Sequence, residues 1–249
     1  MRQYARIAAV IALGLVAQPV VAADYGYQPT INAPSMIPPE EIGTGWYLRG
    51  DVAVNRTTRI DANWRDDRFT TMKAADSRVF GGGIGYKYNG WLRGDLTADH
   101  LDPFTVRGRA KCRNAGCLPG DVSSEQTTMN AWLMMANGYL DFGNWAGITP
   151  YVGGGVGMAY ISTGKHLSYN PGDKIADDSF GASQRWSLAA SAMAGASYDL
   201  GNGFQLDAGY KYLWIDKAET GTSGNVKGQV QYRDITSHQV RVGLRYFVY

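Results

Sequence analysis

Cysteine and histidine are scarce in this chain: two of the first and three of the second in 249 residues. Charged residues make up only 18%, and the signs nearly cancel to +2. Bulk charge therefore selects no partner, and nucleic acid is not expected. The two cysteines have no further ligands at zinc spacing, and the three histidines are scattered, so no metal or cofactor is expected. Past residue 23 no apolar run is long enough to cross a bilayer as a helix, which excludes a helical membrane protein. Helix formers do not dominate either. What is plentiful is glycine (32), tyrosine (16) and tryptophan (7), the composition of strands and tight turns.

The first residues are a separate object. Arg2 and Arg6 give a basic start, Ile7 to Ala17 an apolar run, and Val20 to Ala23 small residues suited to cleavage. Residues 1–23 are read as a secretory signal peptide. Residues 24–44 hold Pro29, Pro34, Pro38 and Pro39 and are read as a Pro-rich periplasmic segment rather than a strand. Residues 45–249 are read as one domain.

That domain alternates with period two. In the last stretch, 236–249, Val240, Val242, Leu244, Tyr246 and Val248 share one face; Gln239, Arg241, Gly243 and Arg245 share the other. The same pattern places strands near 45–56, 77–88, 91–100, 128–142, 148–163, 185–199 and 204–215. Long polar loops separate them at 57–76, 101–127, 164–184 and 216–235. Short turns separate them at Asn89-Gly90, Gly143 to Gly147 and Gly201 to Gly203. Asn-Gly is a strong hairpin signal because both residues tolerate positive φ. Eight strands joined by alternating long and short connections predict an all-β fold, an eight-stranded antiparallel up-and-down transmembrane β-barrel. A soluble lipocalin-type barrel would turn its apolar face inward. Here the aromatic face is almost free of charge and the opposite face carries it. Trp46, Tyr86, Tyr88, Trp186, Tyr198, Tyr210, Tyr212, Trp214 and Tyr246 are expected in aromatic girdles at the membrane interfaces.

The inward face is the most informative. Arg49, Lys87, Arg93, Lys211, Arg241 and Arg245 share it with Asp51, Asp95, Asp99, Asp141 and Asp207. Unpaired charges away from water are costly, so a salt-bridged lumen is expected; a narrow ion path lined by the same residues is the alternative. The runs Gly81 to Gly85 and Gly153 to Gly157 lack the third glycine and the following helix of a nucleotide loop. They are read as room for the large charged neighbours. Cys112 and Cys117 fall in the second long loop, and the oxidising exported setting predicts a disulfide. Beside them Arg107, Arg109, Lys111 and Arg113 suggest contact with lipopolysaccharide phosphates or another surface polyanion. Ser237 beside His238 points to the opposite face, and no acid is seen to orient His166 or His238. An enzyme is therefore not expected.

The runs Asn137 to Gly143 and Pro150 to Gly157, with the ending Val242-Gly243-Leu244-Arg245-Tyr246, resemble the small outer-membrane barrels of alphaproteobacteria, the surface-exposed immunogenic or porin-like proteins. One departure is Val248, where that family carries an aromatic residue; Tyr249 comes one position later. The resemblance implies an eight-stranded barrel in the outer membrane, exposed at the surface, with structural, porin-like or adhesive roles. The function expected is structural and surface-contacting, through four extracellular loops. Its partners would be outer-membrane lipid, lipopolysaccharide and an extracellular surface ligand. A small porin-like channel is the alternative, and a lipid-modifying enzyme or a haem-binding protein stands further behind. The mature chain is expected to start at Ala23 or Asp24. Intact mass of protein from outer-membrane fractions reads this directly, and a retained Met1 would refute the leader.

Overall fold

Inside a bilayer nothing can satisfy an unpaired backbone N–H or C=O, so a sheet that crosses one must leave no open edge. The computed structural model closes the sheet on itself. It describes residues 44–64, 67–111, 118, 120–169, 178–222 and 229–248. The leader and nearly all of the Pro-rich segment lie outside these residues, as do Cys112, Arg113 and Cys117.

The strands are β1 (Gly45–Trp64), β2 (Asp67–Arg68), β3 (Thr70–Ala74), β4 (Ser77–Lys87), β5 (Leu92–Lys111), β6 (Val122–Asp141), β7 (Ile148–Thr163), β8 (His166–Tyr169), β9 (Asp178–Phe180), β10 (Ser183–Gly201), β11 (Phe204–Glu219) and β12 (Val230–Val248). The long ones form an antiparallel ring in the order β1, β4, β5, β6, β7, β10, β11, β12 and back to β1. The short β2, β3, β8 and β9 extend ladders at one end of it.

The register fixes the geometry. Stepping between partners from Trp46 gives Tyr86, Gly94, Gly138, Gly154, Ala192, Tyr212 and His238, then returns to β1 at Arg56, ten residues further on. This stagger tilts the strands by roughly 40°, and ten residues then climb about 25 Å along the axis, the height of a membrane barrel's apolar band. The outward residues agree. Between Trp46 and Val54 on β1, and at Phe80, Ile84, Leu96, Met134, Val156, Leu206, Val242 and Leu244, large apolar side chains are exposed.

Short turns close the lower end. At Gly201-Asn202-Gly203 all three residues have φ between 53° and 80°, so the glycines are required there. The Asn89-Gly90 turn works differently from expectation, since neither residue has positive φ. Asn89 Oδ1 instead accepts hydrogen bonds from the backbone N–H groups of Trp91 (3.0 Å) and Leu92 (2.7 Å), an Asx turn.

The long-loop expectation is corrected over much of 57–76, 101–127 and 216–235. β1 runs on to Trp64, β5 runs on to Lys111, and β6 begins at Val122. β11 runs on to Glu219 and β12 begins at Val230. A crossing needs only about 9–11 residues. The strands continue because period two continues, but with the faces exchanged. Above Val54 the outward positions turn polar: Arg56, Asp61, Arg107, Ser124, Gln126. The inward positions turn apolar. Ile60, Leu101, Phe104, Val106, Met129, Ile161, Leu213, Ile215 and Ile235 are buried together. A reading that looked for an apolar outer face therefore stopped at the membrane boundary.

Depth should set the cost of an outward charge. Leu96 and Val242 lie near mid-band, whereas Leu206 lies close to the lower girdle. Leu96→Arg or Val242→Arg should lose about 2–4 kcal/mol of stability and Leu206→Arg at most about 1. Reversible urea unfolding in lipid vesicles measures this, and equal costs at the three sites would refute the assigned band.

Candidate functional site

The lower lumen is filled by charge. Alternation sends Arg49 and Asp51 on β1, Arg93, Asp95 and Asp99 on β5, Asp141 on β6, Asp207 and Lys211 on β11, and Arg241 and Arg245 on β12 to the same interior. Asp99 accepts from Lys211 Nζ at 3.2 Å and from Arg241 Nη1 at 2.9 Å. Arg241 Nε also donates to Asp51 at 2.9 Å. Arg49 bridges Asp51 (3.0 Å) and Asp95 (2.9 Å). Arg93 Nε pairs with Asp141 at 2.9 Å, and Arg245 pairs with Asp207 while donating to Gln205 Oε1 at 3.0 Å. Lys87 is buried beside them without a direct ion pair among the described residues.

Three tyrosines tie this set together. Tyr47 donates to Asp95 at 3.1 Å and Tyr151 to Asp207 at 2.6 Å, while Tyr139 accepts from Arg49 at 2.8 Å. The Arg93 guanidinium lies 4.0 Å from the Tyr139 ring centre and 4.6 Å from that of Tyr151. Its two terminal nitrogens have no hydrogen-bond acceptor among the described residues, and the guanidinium lies against the two rings instead. Glycine makes the room: a Cβ on Gly81 would lie 2.2 Å from Asp99, and one on Gly85 2.2 Å from the Tyr47 ring. A cavity of about 20 Å³ remains among Arg49, Asp51, Tyr151, Asp207 and Arg241, space for about one water.

Above this layer lies the apolar core, with a second cavity of about 20 Å³ among Leu101, Phe104, Met129, Ile161 and Ile235. Higher still is a polar cluster that sequence reasoning missed. His166 Nε2 lies 2.8 Å from Glu125 Oε2, and His166 Nδ1 lies 3.0 Å from Tyr232 Oη. Ser168 donates to Glu125 at 2.8 Å, and Ser123 donates to it too. The imidazole packs against Phe69 and Phe180. Burial pushes the Glu125 carboxyl upward, but the hydrogen bonds from His166, Ser123 and Ser168 outweigh it and hold the group below its ordinary range. The expectation that no acid orients a histidine is thus corrected for His166. Glu125 is 41 residues away in sequence, on a stretch read as loop. Both ring nitrogens are engaged and neither meets a serine, so the geometry ties the upper barrel together and activates no nucleophile. The inward parity of Ser123, Glu125 and Thr127 was the available signal.

Three of the four residues expected in a basic loop sit on a strand, and Arg113 lies outside the described residues. Arg107, Arg109 and Lys111 alternate along the exposed face of β5, and the exposed Lys73 of β3 pairs with Arg107 in register. Beside them an open groove of about 410 Å³ is lined by Lys73, Arg107, Arg109, Gln126 and Tyr169.

The expected aromatic residues separate into two levels. Trp46, Tyr86, Tyr88, Tyr198 and Tyr246 lie at the lower end, with Trp46 and Tyr86 ring centres 5.2 Å apart. Trp186, Tyr212 and Trp214 lie at the upper end, joined by Trp132 and Tyr160, which sequence reasoning had not placed there. Tyr210 lies between the levels and hydrogen-bonds His238.

Comparison with known proteins bears on the whole arrangement. The family model for the outer membrane protein beta-barrel domain matches residues 8–246. An uncharacterized protein of Brucella abortus is 30% identical over 249 residues, covering 84% of this chain and 86% of that one. A Rickettsia bellii protein named as a candidate adhesin is 26% identical over 208 residues, covering 81% and 87%. Among solved structures, Neisserial surface protein A superposes with a TM-score of 0.48 at 18% identity, covering 83% of this chain and 99% of that one.

The charged layer is strongly coupled. Arg241→Met removes one of two cationic partners from each of Asp51 and Asp99, which keep Arg49 and Lys211, and should cost about 3–5 kcal/mol. Arg241→Met combined with Asp51→Asn should recover part of that loss. Urea unfolding of refolded protein in lipid vesicles reads both, and a neutral single variant would show that the pairs contribute nothing.

Proposed function

The chain belongs to the outer membrane protein β-barrel family, and from that premise we propose that it is a non-enzymatic surface-contact protein of the outer membrane. In this reading the long connections face the exterior, as short periplasmic turns and longer outer loops are the rule for bacterial barrels. The single observation that carries it is the overshoot of the strands. Arg107, Arg109, Lys111 and Lys73 form a basic face roughly 15 Å above His100, which sits at the upper girdle. That height lies beyond the lipid headgroups. The ligand class it suits is an extracellular polyanion, such as an anionic polysaccharide, whose repeating charges match cations repeating at every second residue of a strand. The likeness to a candidate adhesin agrees with contact outside the cell.

The channel reading finds less support. Paired charge fills the lower lumen, and the two lumen cavities are about 20 Å³ each, room for about one water and not for a file of hydrated ions. A haem site is not favoured either, because His100 and His238 lie on the outer face and His166 is enclosed. Signal peptide, disulfide and Arg113 remain part of the proposal from sequence: a clasp from Cys112 to Cys117 would order the tip beyond this basic face.

The test is an Arg107/Arg109/Lys111→Ser variant, with Lys73→Ser added, compared with wild type for binding to heparin and to purified lipopolysaccharide polysaccharide. Binding should fall about tenfold at low salt, and the two proteins should converge near 1 M, where the screening length is about 3 Å. Equal binding at low salt by a folded variant would overturn the reading.

A further inference from the structure

The upper girdle is not uniform around the barrel. On β6, β7, β10 and β11 it is aromatic: Trp132, Tyr160, Trp186 and Trp214. On the other four strands the same level is cationic or imidazole. His238 on β12 stands in register with Arg56 on β1. Arg78 on β4 stands opposite Val54 of β1, and His100 on β5 stands opposite Phe80 of β4. After allowance for the climb of about 3 Å per strand, these four lie within about 4 Å of one another along the axis. All point outward. Immediately below them the face is apolar, with Val54, Phe80 and Val240 exposed.

The partners of the two arginines leave them available, and the two imidazoles flank them. Arg78 is exposed and makes no ion pair among the described residues. Arg56 holds Asp76 at 3.3 Å through two hydrogen bonds, but both side chains are largely exposed, and a pair of this kind is worth little. His100 packs tilted against Trp132 with ring centres 4.6 Å apart and lies 3.8 Å from Asp102, while its Nδ1 is buried without a hydrogen-bond partner among the described residues. His238 Nδ1 is hydrogen-bonded to Tyr210, and its ring packs on Tyr210 and Tyr212, so it borders the arc and leaves the charge to the arginines. Arginine binds phosphate through a planar fork of donors, and two of them flanked by imidazoles span four adjacent strands.

We propose that the arc of His238, Arg56, Arg78 and His100 is a binding site for the phosphate of an outer-leaflet lipid headgroup, with the acyl chains laid on Val54, Phe80 and Val240 below. The site rests on the orientation proposed above but not on the basic face of β5, which stands too high to reach a phosphate at the bilayer surface. The aromatic half of the girdle anchors the barrel to any bilayer. The cationic half selects for lipids whose phosphate is a phosphomonoester with net negative charge, as in lipid A, over the phosphodiester of phosphatidylcholine, which its own ammonium offsets.

The experiment uses refolded full-length protein in nanodiscs of phosphatidylcholine doped with bis-phosphorylated lipid A or with its dephosphorylated form. Lipid retained after detergent exchange is counted by native mass spectrometry. Wild type should retain the phosphorylated form in preference by about tenfold or more, on the scale of ~1 kcal/mol per arginine near a charged membrane surface. Arg56→Gln/Arg78→Gln should lose that preference, Arg56→Lys/Arg78→Lys should keep part of it, and the Arg107/Arg109/Lys111→Ser variant should keep all of it. Inorganic phosphate should not displace the bound lipid. Equal retention of the two lipids by wild type, an unchanged preference in the double Gln variant, or displacement by inorganic phosphate alone would each overturn the proposal. The first of these needs no variant to fold. Loss of retention in the β5 variant instead would assign the lipid to the basic face and likewise refute this site.

Discussion

Closure is the constraint on which the rest of the barrel depends. Eight long strands joined with a stagger of ten residues leave an interior only wide enough for side chains to fill. Every inward residue is therefore a packing decision as well as a chemical one. Asp99, Arg241 and Asp51 can meet over β4 because Gly81 has no side chain to occupy the same space. Tyr47 can lie flat across Gly85, and Tyr139 across Gly153, for the same reason. The glycine runs and the charge network are one adaptation seen from two strands.

The interior then divides by depth. Within the bilayer band the outside must be apolar, so the inside takes the polar groups and satisfies them by pairing. Burying these ions is costly, and their mutual attraction offsets the cost only where geometry is good and further hydrogen bonds complete the shells. The tyrosine hydroxyls and Gln205 supply those bonds. Above the band water reaches the outside, and the ordinary arrangement of a soluble barrel returns: polar out, apolar in. One chain thus runs two opposite patterns along the same strands, joined at about Val54 on β1 and Leu101 on β5.

That junction explains what could be read from sequence. Within the band the alternation is uniform, and Val240, Val242 and Leu244 against Arg241 and Arg245 give strand, face and lumen together. Topology followed because turns such as Gly201 to Gly203 are short and marked. The upper barrel was not legible, since the apolar residues of β5 and β6 change parity relative to the membrane and a bulge between Leu101 and Phe104 breaks the count. Glu125, His166 and Tyr232 could not be joined without knowing that β6 and β12 continue. The rim residues Arg56 and Arg78 were visible individually, but their common level emerges only from the stagger around the ring.

The apolar layer above the charged lumen is threaded by a polar file: Arg241 donates to Gln239, Gln239 to Asn55 and Asn55 to Ser77. The cavity beside it, about 20 Å³ among Leu101, Phe104, Met129, Ile161 and Ile235, is too small for a hydrated ion. The charged layer is therefore tied to the upper barrel by hydrogen bonds rather than by a path for ions. A change in the pairing of Arg241 would be felt as far up the lumen as Ser77.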